Sequence, residues 1–335
     1  MLLNVQGLKV EFYTYRGIVH ALNGVDFYMD RGEVLGLAGE TGSGKSVTSL
    51  AIQKLLPPNA SIVDGKIIFD GVDLVKLSEK EMQNIRGKRI ATIFQDPHTY
   101  LNPVFKIGRQ FIDILVTHDP EIKKIENRKN REKVAKEKAV EMLRMVRMPA
   151  PEKVLEMYPH ELSGGMKQRV LLAMAYSLQP DLIIADEATT ALDVTIQAQV
   201  LDIMESLRKE RNVSILFITH DLGLIAENCQ RIAVMYGGRV VEFGDVKKVL
   251  VDPLHPYTQG LIKALPRTDK ETKPVSIPGT VPDLVNPPSG CPFHPRCPYT
   301  LEVCKEKFPE PTTLEGVRVN CHLYLRGESI GNIKS

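Results

Sequence analysis

The octapeptide Gly39-Glu40-Thr41-Gly42-Ser43-Gly44-Lys45-Ser46 constrains the fold of this 335-residue chain more than any other segment. It fits the pattern G-x-x-x-x-G-K-[ST], a loop that leads from a strand into a helix. The apolar run Glu33–Ala38 supplies the strand, and KSVTSLAIQKLL after Gly44 reads as a helix ended by Pro57-Pro58. Glycines permit backbone angles denied to other residues, so successive N–H groups can turn inward onto phosphate oxygens. The helix that follows adds the positive end of its dipole. Lys45 is placed to reach the β- and γ-phosphates of a nucleotide and Ser46 to hold Mg²⁺ through its hydroxyl. Thr48 joins these eight residues as an expected nucleotide contact.

Such a loop also needs a carboxylate at the end of a buried strand. Leu182-Ile183-Ile184-Ala185-Asp186-Glu187 provides two. Asp186 is placed to bind Mg²⁺, and Glu187 to polarise the attacking water as a general base. A further buried strand is expected at Ser214–Thr219. Residues 61–75 read as a hairpin with turns at Asp64-Gly65 and Asp70-Gly71. Between about 106 and 157 the pattern is helical and highly charged, as on a solvated helix face. Prolines crowd into 252–290, marking an irregular appendage.

Composition removes other classes. With 43 Lys and Arg against 41 Asp and Glu, the chain lacks the basic footprint of a nucleic-acid binder. Its apolar runs are far shorter than the roughly 20 residues of a membrane helix, and residues 1–12 do not read as a signal peptide. Membrane contact is therefore expected only through partners.

The segment Leu162-Ser163-Gly164-Gly165-Met166-Lys167-Gln168-Arg169 resembles the signature motif of the ABC ATPases. The rest of that family's pattern follows in order. Gln95 in Ile93-Phe94-Gln95-Asp96 resembles the Q-loop, Ala191-Leu192-Asp193 the D-loop, and His220 the switch histidine. The resemblance implies an α/β, RecA-like P-loop NTPase core with an antiparallel β subdomain and an inserted helical subdomain at about 97–178. Together these make an ATP-binding domain over 1–252, followed by a small Cys-rich domain over 253–335. It further implies ATP hydrolysis with Glu187, Gln95 and His220 as catalytic residues, and Mg²⁺ held by Ser46, Gln95 and Asp186. Ser163, Gly164, Gly165 and Met166 would close over ATP held by a second ATPase subunit, identical or sibling, with Asp193 at the dimer interface. For adenine stacking Tyr13 and Tyr15 both qualify, and the family pattern over Gly17–Phe27 favours Tyr15. His98 and Tyr100 stand where smaller residues are common.

The stretch His255-Pro256-Tyr257-Thr258-Gln259-Gly260-Leu261 and the cysteines after it are similar to the C-terminal extension of oligopeptide and dipeptide importer ATPases. This implies a peripheral subunit at the cytoplasmic face of the membrane, working with two permease subunits and indirectly with a solute-binding protein. Nickel importers share the branch and remain an alternative. A soluble ABC ATPase is disfavoured because the cassette is neither doubled nor split by a coiled coil, and an exporter is disfavoured by the extension. An iron–sulfur redox protein with a degenerate nucleotide site is disfavoured by the intact ATPase residues.

Cys291, Cys297, Cys304 and Cys321 fall at gaps of x5, x6 and x16, while Cys229 stands apart. Zinc ribbons prefer C-x2-4-C pairs, which are missing here. Wider gaps suit a [4Fe–4S] cluster, with zinc and free thiols as the alternatives. His294 and His322 lie beside these cysteines and are expected as supporting rather than ligating residues.

Overall fold

The computed structural model describes residues 1–94, 97–188, 193–265 and 276–324. The strands, in chain order, are β1 (Leu3–Thr14), β2 (Gly17–Met29), β3 (Val34–Ala38), β4 (Ala60–Phe69), β5 (Val72–Asp73) and β6 (Ile90–Ile93). They continue with β7 (Leu182–Asp186), β8 (Ser214–Ile218), β9 (Arg231–Tyr236), β10 (Arg239–Asp245), β11 (Thr312–Leu314) and β12 (Val317–Val319). The chain divides into two compact units. One comprises 1–30, 34–76 and 218–335; the other comprises 31–33 and 77–217.

The first unit holds an antiparallel sheet in the order β2-β1-β4-β5, the expected β subdomain. Leu3, Val5, Leu8 and Val10 of β1 are buried on one side of it. The turn expected at Asp70-Gly71 links β4 to β5, with φ of 50° and 82°. The turn expected at Asp64-Gly65 is instead an irregularity inside β4. Gly65 has φ of 97°, and a Cβ there would sit 2.6 Å from Leu8 Cα. An Asp-Gly pair serves a bulge as readily as a hairpin, since both need a left-handed residue.

The same unit carries the strand run β11-β12-β10-β9-β3, in which β3 and β9 are parallel and the other pairs antiparallel. Every residue of β3 is buried, as a strand covered on both faces requires. The C-terminal segment, expected as a domain of its own, belongs to this unit. β12 pairs with β10 through Glu242–Val319 and Phe243–Arg318, so the segment extends a sheet edge.

In the second unit β8, β7 and β6 are neighbours in that order, and regular structure between 97 and 176 is helical. The charged run becomes the helix Arg128–Met145. Only Ala135, Ala139, Met142 and Leu143 are buried on it, a narrow apolar stripe on an otherwise solvated helix. Among the described residues no helix is long and apolar enough to cross a membrane.

Candidate active site

The P-loop lies in the first unit, between β3 and the helix Lys45–Ile52. Gly39, Gly42 and Gly44 take φ of 151°, 82° and 104°. Gly39 is also sterically fixed, because a Cβ there would lie 2.3 Å from the Met235 carbonyl. The loop closes through Ser43 N–H to the Glu40 carbonyl (3.1 Å) and Gly238 N–H to the Ser43 carbonyl (3.1 Å). No side chain caps the helix that follows, so its N-terminus is turned toward the loop. Lys45 Nζ donates to the Gly39 (2.7 Å) and Glu40 (3.1 Å) carbonyls. The Ser43 hydroxyl is buried without a hydrogen-bond partner. An uncapped helix N-terminus, an orphaned hydroxyl and a lysine resting on carbonyls together suit a bound phosphate chain.

Ser46 is exposed at the mouth of the loop, where a hydroxyl can reach a metal. Thr48 is placed otherwise than expected. It is fully buried and its hydroxyl donates to the Gly44 carbonyl at 2.9 Å, so it supports the loop from beneath. Helical periodicity is the reason: one side of so short a helix must face the core. Tyr15 sits at the tip of the β1–β2 hairpin and is 99% exposed, against 49% for Tyr13. His220 is exposed after β8. The backbone beside it is set by Asp221, which caps the helix Leu222–Asn228 by accepting from Gly223 (2.8 Å) and Leu224 (3.2 Å) N–H.

The second unit carries the remaining motif residues. Leu182 to Ala185 are fully buried, and Asp186 and Glu187 emerge half-buried at the strand's end. Glu187 has φ of 48°, a left-handed conformation of the kind that clusters at functional positions. The next residue is held by Gln168, whose buried Nε2 donates to the Ala188 carbonyl at 2.6 Å. Sequence reasoning assigned Gln168 no role, although it lies within the signature run.

Ser163 caps the helix Gly164–Tyr176 by accepting from Met166 N–H at 3.3 Å. Gly165 allows the helix Val194–Arg211 to approach, since a Cβ there would lie 2.7 Å from Ile196 Cγ2. Asp193 caps that second helix through Ile196 N–H at 3.0 Å. Gln95 and the stretch 189–192, including Ala191 and Leu192, lie outside the described residues, as does the side chain of His98. Tyr100 stacks on Phe94 with ring centroids 4.1 Å apart.

Behind the P-loop, still in the first unit, Glu242 of β10 is completely buried and accepts from Leu254 (2.8 Å) and His255 (2.9 Å) N–H. These bonds dock the start of the C-terminal segment. Burial outweighs them and pushes the Glu242 carboxyl up to about 7 from an ordinary 4.5. Because the folded value is the higher one, this group favours folding most strongly below pH 4.5 and loses that contribution as pH rises through 7. The loss amounts to about 3 kcal/mol. Urea unfolding of wild type and Glu242→Gln between pH 4.5 and 8 checks this. Their difference in stability should move by about that amount, and a constant difference would refute it.

The four C-terminal cysteines line one small cavity of about 10 Å³, together with His255, Phe293 and His322 among others. Cys291, Cys304 and Cys321 are buried and Cys297 half-buried. Burial pushes Cys291 and Cys321 up to about 12 and raises Cys297 as well, so as free groups they are protonated thiols. The two histidines spend ring nitrogens on backbone carbonyls: His294 Nδ1 on Cys291 (3.0 Å) and His322 Nε2 on Lys307 (2.8 Å). The donor set, four soft sulfurs around one pocket, fits a thiolate-bound metal centre. Among the described residues no three side chains yet stand at metal-coordinating geometry.

Residues 22–190 match the family model described as ABC transporter, and 241–304 match the oligopeptide/dipeptide transporter C-terminal region. The oligopeptide transport ATP-binding protein OppD of Bacillus subtilis is 51% identical over 311 residues, 92% of this chain and 84% of that one. The dipeptide transport ATP-binding protein DppD of the same organism is 46% identical over 324 residues, 96% and 94% of the two chains. In fold, the bacterial ABC transporter cassette MJ0796, solved as a dimer, aligns with a TM-score of 0.62 at 24% identity over 73% of this chain and 98% of its own. With the P-loop, the carboxylate strand and the signature helix in place, the chain belongs to the ABC transporter family, as an ATP-hydrolysing subunit with an oligopeptide/dipeptide-type C-terminal region.

Proposed function

We propose that the chain powers an importer of di- and oligopeptides from the cytoplasmic face of the membrane, docked on two permease subunits and served by a solute-binding protein. The observation that carries this reading is the C-terminal region over 241–304, matched to peptide transporters and packed in the same unit as the P-loop. Lys45 and the loop amides bind the ATP phosphates, while Ser46, Asp186 and Gln95 hold Mg²⁺. Glu187 takes the proton of the attacking water and His220 contacts the γ-phosphate. Ser163 to Met166 cover ATP bound by a second ATPase subunit, identical or sibling, and Asp193 borders that partner. Val194, next to Asp193, is 83% exposed, which suits a surface covered in a dimer. Tyr15 stacks on adenine. The four cysteines hold a [4Fe–4S] cluster that ties the C-terminal segment together.

The test is uptake of a labelled tripeptide and of nickel by cells whose only copy of this subunit carries Lys45→Ala. Peptide uptake should fall to background with nickel uptake unchanged. The reverse pattern would reassign the cargo to a metal, and loss of neither would remove the chain from both systems.

A further inference from the structure

Glu40, the second residue of the P-loop, is captured at all three of its polar groups. Its carbonyl accepts from Lys45 Nζ at 3.1 Å. Its N–H donates to the Tyr257 hydroxyl at 2.8 Å. Its carboxylate is held in a two-pronged ion pair by Arg296, Nη1 to Oε2 at 2.8 Å and Nη2 to Oε1 at 3.2 Å. The last two partners come from the C-terminal segment, 217 and 256 residues along the chain.

Neither partner is free to drift. Tyr257 is fully buried, its ring 4.5 Å from that of Tyr236 and 5.4 Å from that of Phe293. The Arg296 side chain is only 6% exposed and gives its other hydrogens to the Pro278 carbonyl (2.9 Å), the Ile277 carbonyl (3.2 Å) and the Tyr236 hydroxyl (3.2 Å). A guanidinium saturated in this way is a rigid fork, and a two-pronged pair fixes orientation as well as distance.

We propose that Tyr257 and Arg296 are positioning residues of the ATP site, setting the entry limb of the P-loop, and through it the resting place of Lys45, by way of Glu40. Neither residue needs to touch nucleotide. The Glu40 carbonyl is one of the rests of the Lys45 ammonium, so a shift of the Glu40 backbone moves the charge that meets the phosphates. The C-terminal region therefore works on the nucleotide site as a buttress, and pre-organisation of this kind shows in affinity.

The test compares full-length wild type with Tyr257→Phe, Arg296→Gln, Arg296→Lys and Glu40→Gln. It measures Mg-ATP affinity with a fluorescent nucleotide analogue, and separates KM from kcat in steady-state hydrolysis. Tyr257→Phe removes one acceptor and should weaken binding about fivefold. Arg296→Gln should weaken it roughly tenfold, with partial recovery in Arg296→Lys, while kcat at saturating ATP stays within about twofold. In the Glu40→Gln background the Arg296→Gln effect should shrink to less than half, because the pair is already broken. Lys248→Ala, which breaks a bond to the Glu315 carbonyl in the same segment, should bind as wild type. Wild-type affinity in both Tyr257→Phe and Arg296→Gln would overturn the proposal. So would an Arg296→Gln effect that persists in full without the Glu40 carboxylate. Tyr257→Phe and Arg296→Lys keep the packing, so either decides the matter if Arg296→Gln fails to fold.

Discussion

Replacing Glu187 with glutamine should lower ATP turnover by about two to four orders of magnitude while leaving Mg-ATP affinity within about threefold. The substitution keeps the shape of the side chain and removes its basicity. Glu187 stands one residue past the end of β7 in a left-handed conformation, with φ of 48°. That conformation is held from the following residue, because the Gln168 amide is bonded to the Ala188 carbonyl at 2.6 Å. A general base needs a backbone fixed before substrate arrives, and the left-handed turn and the buried Gln168 amide supply one for Glu187. Phosphate release in a rapid-quench assay and nucleotide binding measured separately give both numbers. Turnover within tenfold of wild type would assign the base elsewhere, with His220 the next residue to change. Gln168→Ala should fall between the two, since it frees the turn and leaves the carboxylate in place.

The motif residues were legible in the sequence because phosphate chemistry leaves the backbone few choices. Gly39 and Gly44 cannot carry a side chain: one would strike the Met235 carbonyl, the other Leu22 and the Ala21 carbonyl. Gly165 is restricted less strictly, by the Ile196 side chain alone. Where a position is forced by sterics, its residue type announces it. Thr48 is ambiguous in the sequence for the opposite reason. A threonine near a helix start suits a phosphate contact or a bond to the preceding turn equally well, and only burial separates them.

The support behind the P-loop could not be read from the chain at all. Glu40, Tyr257 and Arg296 meet across more than 200 residues, and no local periodicity records such a meeting. Tyr257 lies in the His255–Leu261 motif and Arg296 among the cysteines after it, but that motif carries a family likeness without a mechanism. Glu242 was hidden in the same way: an acidic residue in a strand reads as a solvent-facing position until the strand is seen paired on both sides. The Asp64-Gly65 step shows the limit at short range. The dipeptide predicts a left-handed residue correctly and leaves the choice between turn and bulge to the neighbouring strand.

With the [4Fe–4S] cluster proposed above, serine in place of Cys297 should take anaerobically purified protein from about four irons per chain to nearly none. The argument rests on what the segment has to fold with. From residue 276 onward Cys291, Cys304 and Cys321 are among its few buried apolar side chains, alongside Phe293, Val317, Val319 and Tyr324. Much of its interior is therefore sulfur. The cysteines come from separate pieces of chain: the turn at 291–297, the short helix Glu302–Glu306, and the stretch just after β12. A centre bound by all four would tie these pieces to one point, and the metal's binding energy would become folding energy. Without it the same cavity holds thiols that burial keeps protonated. Cys229→Ser is the control, since Cys229 packs beside Gly36, away from the four. Iron, zinc and sulfide analysis with an absorption spectrum decides among the outcomes. About four irons with matching sulfide in wild type and Cys229→Ser, lost in Cys297→Ser, would support the cluster. One zinc per chain would keep a metal centre and sink the cluster, and metal-free wild type would remove both. The Glu187 prediction is independent of all three results, because Glu187 and the cysteines lie in different units.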